Sequence, residues 1–590
     1  MRFPLLRSSQ AGTSVRRLLP LAVLAALGLG LWLEHVDLLL HKAYSVDEFQ
    51  YAHGAWLISR GQVIYRDFFE HHFPLLHQLL AAAWLALDDD PANLIVLRIL
   101  MLPFLTLTAL WSGQLNARRG PGWGPATAVL VFVVPTWSFM AAEIRPDSVA
   151  ATFFLGSLAV LGARRLEPRW RGFWSGLLFA LAFWATLKVA YYGLVVPAAL
   201  AVDLWNRRRG REPLLLASPV AFLAGGATVA APVAVYLTWT ASWSAWLEWC
   251  IRWSFVHQWH YPGFPWLRNF EQLVVQSFWL FPAAAAGVAA TIRDHDRRVP
   301  SDVLLLGALG TTFLSFAWQS AAYLYSLIPF TVILVVFAGR GLAATVDWLG
   351  RRRTPAAAFA LVLLGLAMGM EVWRGHTGIR RLRADDNASQ QAALVELGRL
   401  TRPDEPVFHL AGGQISRPSV HFFYFFEAVV RQLKSDVFAF EVPRAMVEKG
   451  CIAYMPTDRF HRLPVPLRRF LLDSFVPRTA GLWFWGRRYA VAGEFEADFP
   501  AVRRGRYFVW PTEAAGAVTL DGHPLEGPIA GLEAGVHRLR YRPADASSID
   551  EIFLVWLPAD GRPFPPRPEL EPPLEPTSGP AVEPTVETRP

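Results

Sequence analysis

Long apolar segments separated by short polar connections run through the first two thirds of the chain. Eleven windows approach the ~20 residues that a helix needs to cross a bilayer, and they cover 19–40, 92–113, 123–142, 148–163, 172–187, 189–204, 214–238, 272–291, 301–318, 323–342 and 355–373. The pattern therefore predicts a multi-pass α-helical membrane protein with about 11 transmembrane helices.

The connections between these windows alternate in charge. Arg clusters occur in the N-terminus and in every even connection, for example Arg118-Arg119, NRRRGR and RDHDRR. Positive charge is retained in cytoplasmic loops, so the even connections are predicted to be cytoplasmic and the odd ones extracytoplasmic. The same alternation divides residues 172–204 into two short helices, with the apex near Lys188.

The composition changes after Trp373, where short β-rich runs, a helical stretch and finally a Pro/Glu-rich tail replace the apolar windows. Alternating runs separated by Gly, Pro and Asp are typical of small sheets. The sequence predicts a cytoplasmic N-terminus at 1–18, a transmembrane domain at 19–375 with a first outer loop at 41–91, an extracytoplasmic α/β domain at 376–484, a β-sandwich at 485–560 and a disordered tail at 561–590.

Composition supports the membrane interpretation. Hydrophobic residues make up 53% of the 590 residues and charged residues only 18%, below the roughly 25% of soluble domains. The net charge of +8 does not indicate a nucleic-acid partner, because the Arg residues cluster between apolar segments. Two cysteines, Cys250 and Cys451, are too few for a disulfide framework or a cysteine metal site.

Ionisable side chains concentrate in the predicted outer connections. The first of these is YSVDEFQYAHGAWLISRGQVIYRDFFEHHFPLLHQLL, the third is AAEIRPDSVAA, and the fifth carries Lys188. Charges at membrane depth are costly and usually face a cavity or a partner. Interfacial anchoring is the alternative, and for the Trp-rich seventh connection it is the favoured one.

The Asp47-Glu48 pair directly after the first window, the FEHHFPL run about 20 residues later and the Arg-x-Asp at residues 145–147 resemble the GT-C superfamily. These are polytopic glycosyltransferases that use polyprenyl-phosphate sugars. The chain is most similar to the protein O-mannosyltransferase and aminoarabinose transferase branch, called family 39-like. The similarity is strong over 40–80, fair over 140–200 and architectural up to about residue 375.

The resemblance implies roles for individual residues. Asp47 is the implied general base, and Asp147 matches the second acidic position. Glu48 is a further catalytic candidate, with capping of a loop helix as the alternative. For Lys188 the alternative is a lysine that snorkels at a helix end. The implied substrate-binding residues are Tyr51, Glu70, His71, His72, Arg145 and Lys188.

The first loop also departs from the family pattern. The aminoarabinose branch often has Glu-Lys-Pro-Pro where this chain has Glu70-His71-His72-Phe73-Pro74. A His is charged only part of the time near pH 7, so the donor phosphate is expected to rely on Arg145 or Lys188 instead.

A required metal is not expected, although histidines and carboxylates of the first loop could bind a divalent ion. Adjacent positions 71 and 72 on a helix would point in different directions, and the mannosyltransferase-like branch generally works without a metal. No other cofactor is expected, since no Walker loop, no GxGxxG after a strand and no HExxH occurs in a suitable context.

The function predicted from the sequence is sugar transfer from a polyprenyl-phosphate donor to a hydroxyl of a lipid, glycan or protein acceptor, with inversion. The expected location is the bacterial inner membrane, with the site on its extracytoplasmic face. One rival is a transporter or flippase of lipid-linked glycans, which would show inverted repeats and polar residues at mid-membrane. The other is a GT-C scaffold that has lost catalysis.

Overall fold

The computed structural model describes residues 9–117, 120, 122–163, 165–210, 217–260, 266–293, 300–319, 322–543 and 549–572. Several predictions lie outside the described residues: residues 1–8 of the N-terminus, Arg118 and Arg119, most of RDHDRR, and the tail from residue 573 onward.

Helices make up the N-terminal two thirds of the described chain. In chain order they are α1 Ser9–His41, α2 Val46–Ser59, α3 Leu75–Trp84, α4 Leu94–Ile99, α5 Leu102–Asn116, α6 Trp123–Val133, α7 Pro135–Ala141, α8 Pro146–Leu161, α9 Pro168–Ala185, α10 Val189–Tyr192, α11 Val195–Arg208, α12 Pro219–Trp239, α13 Trp243–Trp246, α14 Trp253–His260, α15 Trp266–Gln276, α16 Leu280–Arg293, α17 Pro300–Trp318, α18 Ile328–Arg352 and α19 Pro355–Ala384. A π-helical segment, Leu247–Arg252, joins α13 to α14.

Six helical stretches in the described residues are long and apolar enough to cross a membrane, and up to eight if two bent helix pairs each count as one span. The bends are 74° between α6 and α7 and 90° between α15 and α16. The chain is thus a multi-pass helical membrane protein. The predicted number of about 11 spans stays a prediction, because α8 and α17 are apolar but shorter.

The interpretation of residues 172–204 as two helices agrees with the structure. Helix α9 ends at Ala185 and α11 starts at Val195, with the four-residue α10 between them. Lys188 lies at this break, close to the predicted apex. The chain therefore presents the Lys188 side chain at the same end of the bundle as the start of α8.

Helix α18 is the core of the bundle, and it is buried over most of its length. It crosses α16 at very short range. A Cβ added to Gly287 would overlap the Phe337 carbonyl, and one added to Gly341 would overlap the Ala283 carbonyl. Small residues at such crossings allow the close backbone approach by which helices pack in lipid.

A polar network lies inside the same bundle, away from the ends that carry Lys188. Arg340 Nη1 of α18 lies 2.8 Å from Asp302 Oδ1 of α17, and Arg340 Nε donates to Asn116 Oδ1 of α5 at 2.8 Å. All three side chains are buried. An unpaired charge is costly inside the bundle, so Arg340 keeps its contacts with Asp302 and Asn116. These contacts hold α18, α17 and α5 together. Sequence reasoning did not identify it.

Two sheets and four further helices form the described C-terminal part, residues 388–543 and 549–572. The helices are α20 Ala388–Leu400, α21 Glu427–Val430, α22 Val442–Glu448 and α23 Val465–Ser474. The strands are β1 Val407–Phe408, β2 Ala453–Tyr454, β3 Phe475–Thr479, β4 Leu482–Ala490, β5 Phe495–Ala501, β6 Gly505–Trp510, β7 Val518–Leu520, β8 His523–Pro524, β9 Ile529–Leu532, β10 Gly535–Tyr541 and β11 Glu551–Trp556.

A seven-stranded sheet runs β1-β2-β4-β11-β6-β9, with β3 also paired to β4, and a four-stranded sheet runs β5-β10-β7-β8. The sheets meet through buried aromatic rings, such as Phe499 against Tyr507 at 5.3 Å. The predicted boundary at 484/485 falls inside β4, whose first half pairs with β2 and whose second half pairs with β11. One sheet thus joins both predicted outer regions, and their division into two domains stays a prediction.

The segment after β1 holds the predicted first outer loop, residues 41–91, in place. Phe69 N–H donates to the Phe422 carbonyl at 2.8 Å, and Arg417 Nη1 donates to the Asp89 carbonyl at 2.8 Å. His53 Nδ1 lies 2.8 Å from the Ile415 carbonyl. These contacts fix the loop that carries most of the predicted site residues.

Candidate active site

Asp47 lies in the first turn of α2, where it meets the start of α8. Its Oδ2 accepts a hydrogen bond from Arg145 Nη1 at 2.9 Å. Arg145 occupies the N-cap position of α8, and Pro146 occupies the first helical position, where a missing N–H costs nothing. The Asp47 side chain stays 36% exposed, whereas Arg145 is only 8% exposed. The carboxylate is therefore accessible and the guanidinium is fixed behind it.

Arg145 is shared between two carboxylates. Its Nε also contacts Glu143, and Glu143 contacts the ammonium of Lys42. Burial opposes ionisation of Glu143, but Arg145 and Lys42 outweigh burial and lower the pKa of Glu143. Lys42 also makes a cation–π contact, because its Nζ lies 3.7 Å from the centroid of the Phe139 ring. Neither Lys42 nor Glu143 was among the predicted site residues.

Asp147 forms a second acid–base pair one turn into α8. Its Oδ1 accepts from Lys188 Nζ at 2.8 Å, and Lys188 Nζ also donates to Ser326 Oγ at 3.2 Å. Asp147 is 6% exposed and Lys188 is 26% exposed. Here the ammonium, rather than the carboxylate, is the accessible partner. Lys188 is thus an ion-pair partner and not only a snorkelling side chain.

The Tyr325 ring joins the two pairs. The Arg145 guanidinium carbon lies 4.4 Å from its centroid and Lys188 Nζ lies 4.5 Å from it. Both distances fit cation–π contacts. The two cations, and with them Asp47 and Asp147, therefore converge around one aromatic side chain that precedes α18. Asp47 and Asp147 lie at the same end of the helices, as predicted.

Glu48 has a different environment from Asp47. Its carboxylate receives Arg98 Nε at 2.8 Å and Arg98 Nη2 at 2.5 Å, together with the backbone N–H groups of Ser45 and Ile144. Both side chains are fully buried. The geometry favours the capping alternative for Glu48, since its oxygens are occupied by structural donors and shielded from solvent.

Glu70 is the centre of a second cluster. Its Oε1 accepts from the backbone N–H groups of His71 and His72 and lies 2.7 Å from His72 Nδ1. Its Oε2 accepts from Gln50 Nε2 at 3.0 Å and lies 2.9 Å from His77 Nε2. Burial would raise the pKa of Glu70, but His77 and His72 outweigh burial and lower it well below its usual value.

The premise that His71 and His72 lie on a helix is wrong. Helix α3 begins only at Leu75, and both residues lie in the preceding loop, with ring centroids 3.9 Å apart. Each offers a ligand atom, and these atoms and one Glu70 oxygen lie within 4.8 Å of one another. This set could hold a divalent cation, because imidazole and carboxylate suit such ions.

Tyr51 connects the two clusters. It follows Asp47 by one turn on the same face of α2, and its hydroxyl lies 3.2 Å from His72 Nε2. Burial, and then the charges of Asp47 and Glu70, raise the pKa of Tyr51 well above its usual value. Eight of the nine predicted site residues thus form one connected cluster, and Glu48, whose carboxylate is held by Arg98, lies outside it.

Some residues of the site could have been found from the sequence. Arg98 is a charge inside the apolar window 92–113, and such a charge needs a partner. Tyr325 lies in the ninth connection, AWQSAAYLYSLIP, and no feature of the sequence distinguishes it from the nearby Tyr323. Its role depends on a contact across about 180 residues of chain that no local pattern encodes.

No protein-family model and no curated protein matches the sequence. Among solved structures, ArnT from Cupriavidus metallidurans bound to undecaprenyl phosphate superposes with a TM-score of 0.52, covering 74% of this chain and 93% of ArnT at 13% identity. The chain has the ArnT fold. The resemblance to GT-C glycosyltransferases is therefore confirmed at the level of the fold.

Two further solved structures are similar. The apo state of ArnT from Cupriavidus metallidurans gives a TM-score of 0.49 at 15% identity, covering 70% of this chain and 86% of that one. The Archaeoglobus fulgidus oligosaccharyltransferase tethered to an acceptor peptide gives a TM-score of 0.46 at 12% identity, covering 78% and 74%.

Proposed function

We propose that the protein is a membrane glycosyltransferase that moves one sugar from a polyprenyl phosphate to a hydroxyl of a lipid, glycan or protein acceptor. The observation that carries this proposal is the convergence of Asp47–Arg145 and Asp147–Lys188 around Tyr325. A base and two cations then lie together at one end of the helical bundle, at the level where the phosphate of a membrane lipid would reside. ArnT, which shares the fold, binds undecaprenyl phosphate, and this supports a lipid-linked donor.

In the proposed reaction Asp47 takes the proton of the acceptor hydroxyl. The acceptor oxygen forms a bond to the anomeric carbon as the bond from that carbon to the phosphate oxygen breaks, with inversion. The electron pair leaves with polyprenyl phosphate. Arg145 and Lys188 stabilise the charge that develops on this leaving group. Asp47 suits the base role because its carboxylate is exposed and its counterion is already in place.

The cluster around Glu70 is proposed to border the donor. His71 and His72 are 23% and 24% exposed, and the phosphate-contacting Lys of related enzymes is absent at this position. Both imidazoles already engage Glu70. The phosphate therefore depends chiefly on Arg145 and Lys188, with Tyr51 and His72 shaping the adjacent wall.

Removing either cation is expected to weaken donor binding. Lys188→Met or Arg145→Met removes a charged hydrogen-bond donor worth about 1.5–3 kcal/mol, so undecaprenyl phosphate should bind about 10- to 100-fold more weakly. Titration of the purified protein with the lipid measures this. Arg252→Met is the matched control, because Arg252 is 74% exposed and pairs with Glu248. Equal affinities for all variants would contradict the assignment.

Transfer is proposed to need no metal or other cofactor. Incubation with EDTA, followed by its removal, is expected to leave the rate of transfer unchanged. Loss of activity that Zn²⁺ or Mg²⁺ restores would contradict this and would assign the set Glu70, His71 and His72 as a functional metal site.

The location proposed is the bacterial inner membrane, with the site and the C-terminal sheets on the extracytoplasmic side. The Arg-rich connections at the opposite ends of the helices support this orientation. Cysteine introduced at exposed Val536, followed by labelling of intact spheroplasts with a membrane-impermeant maleimide, tests it.

The experiment that tests the function uses purified protein in liposomes that contain a polyprenyl-phosphate sugar and candidate acceptors. Release of polyprenyl phosphate together with a glycosylated product supports the proposal. Movement of the donor across the bilayer without product would support a flippase instead. Donor binding with neither outcome, for every acceptor class supplied, would support a scaffold without catalysis.

A further inference from the structure

A groove between α1 and α19 faces away from the helical core. Its volume is about 430 Å³, and its walls include Gly30 and Glu34 of α1 and Gly369, Trp373 and His376 of α19. Only 6% of the most apolar part of α19 is buried, and 22% of that of α1. Both helices are long and apolar enough to span, so the groove opens to the surface that lipid would cover.

The groove is about as long as the part of a lipid acyl chain that lies within one leaflet. From Ala26 to Glu34 the α1 wall covers about 12 Å at 1.5 Å per residue, less than half of the ~30 Å hydrocarbon core. Its upper end is marked by exposed charges, because Asp37 pairs with His41 and with Arg383 one turn above Glu34. Glu34 therefore lies at the boundary between head groups and acyl chains.

Glu34 gives this groove its chemical character. The side chain is 32% exposed, and its Oε1 lies 2.5 Å from His376 Nδ1. The other groove-lining residues are apolar or glycine. The second oxygen, Oε2, is buried and has no hydrogen-bond partner among the described residues. An unpaired carboxylate oxygen beside lipid is costly and calls for a donor.

Two glycines, Gly30 and Gly369, leave room for an acyl chain in the groove. A Cβ added at Gly30 or at Gly369 would meet nothing within 4 Å, so these positions border open space instead of a close helix crossing. Trp373, 65% exposed, stands near the upper end, where Trp side chains are typical of the membrane interface.

We propose that this groove binds one phospholipid with a primary-amine head group, its acyl chain against Gly30 and Gly369 and its ammonium at Glu34. A primary ammonium supplies charge and three N–H donors, whereas a choline head group supplies charge without N–H donors and a glycerol head group supplies no cation. The site is separate from the proposed reaction, and the inference does not depend on it.

Native mass spectrometry of the delipidated full-length protein tests this inference, with phosphatidylethanolamine, phosphatidylcholine and phosphatidylglycerol of identical acyl chains as probes. Phosphatidylethanolamine is expected to bind about tenfold more tightly than the other two, which corresponds to the lower end of the value of a charged hydrogen bond. Glu34→Gln should remove this preference. Glu371→Gln is the matched control, since Glu371 lies on α19 close to the groove in sequence, does not line the groove and pairs with Arg374 at 3.0 Å.

A second variant separates a lost site from a lost fold. Gly30→Leu fills the groove without changing any charge, and it should weaken phosphatidylethanolamine binding about tenfold. The variant should elute from a size-exclusion column at the same volume as the wild-type protein, which shows that the fold is kept. Equal binding of the three lipids, unchanged preference in Glu34→Gln, or equal loss in Glu371→Gln would overturn the proposal. A dimer that forms through this face and excludes lipid would overturn it as well.

Discussion

Asp47→Asn is expected to lower the turnover of sugar transfer by about 10²- to 10⁴-fold, the range that a positioned general base contributes. The Asn side chain keeps the size of Asp and can still accept a hydrogen bond from Arg145 Nη1, which lies 2.9 Å from Asp47 Oδ2. It cannot take up the acceptor proton. The KM for the lipid donor should therefore change little while kcat falls, and steady-state kinetics of the reconstituted protein measure both.

Asp37→Asn is the control for this prediction. Asp37 is an acid of the same region of the chain, exposed at the end of α1 and paired with Arg383, and it does not contact the proposed site. Its replacement should leave kcat within about twofold, as for a surface ion pair of small energetic value. Full activity of Asp47→Asn would refute the assigned base, and an equal loss in Asp37→Asn would show that the effect is not specific.

Arg98→Met is expected to destabilise the protein by about 3–5 kcal/mol, because it leaves the fully buried carboxylate of Glu48 without its partner. The same change detaches α4 from the carbonyl groups of Leu39 and Lys42 at the end of α1, to which Arg98 Nη1 also donates. Thermal unfolding of the detergent-solubilised protein measures the loss as a lower midpoint.

The double variant Glu48→Gln/Arg98→Met distinguishes an ion pair from simple packing. Removing both charges should recover part of the lost stability, since the cost lies mainly in the unpaired buried charge. Arg60→Met is the matched control: Arg60 is 48% exposed beside Asp89, and it should cost at most about 1 kcal/mol. A stable Arg98→Met protein would contradict the structural role of Glu48.

Hydropathy and Arg clusters predicted much of the fold, because both reflect local constraints. A segment in lipid must satisfy its own backbone hydrogen bonds, so a long apolar run by itself predicts a membrane-spanning helix. The split of residues 172–204 followed from charge alternation alone, and α9 and α11 bear it out. The bends after Val133 and after Gln276 left no comparable signal in the hydropathy pattern.

The site was predictable where a motif carried it and not where a contact did. Asp47, Arg145 and Asp147 were identified from the resemblance, and the structure brings them together. Whether Glu48 or Asp47 faces solvent depends on Arg98, which lies 50 residues further along the chain. Adjacent carboxylates in a helix point to different sides, and the sequence alone does not state which side is buried.

The C-terminal region shows the same limit. The sequence predicted short strands and turn residues correctly in kind, because the alternation of apolar and polar positions is a local property. It placed a boundary inside β4, since pairing of β4 with β2, β3 and β11 is decided by contacts between distant segments. The loop conformation of His71 and His72 was missed for a different reason, because it involves a local contact that the apolar pattern does not report: Glu70 Oε1 accepts hydrogen bonds from both backbone N–H groups.

The central claim is that this chain takes its sugar from a lipid phosphate, and a comparison of donors tests it most directly. Purified protein in liposomes would be supplied with one isotope-labelled sugar, either as a polyprenyl phosphate or as a nucleotide diphosphate, and product and released lipid phosphate would be quantified by mass spectrometry. The account predicts product from the lipid donor alone, in equal amount to the polyprenyl phosphate released. Product from the nucleotide sugar, or polyprenyl phosphate sugar that is transported but never consumed, would contradict it.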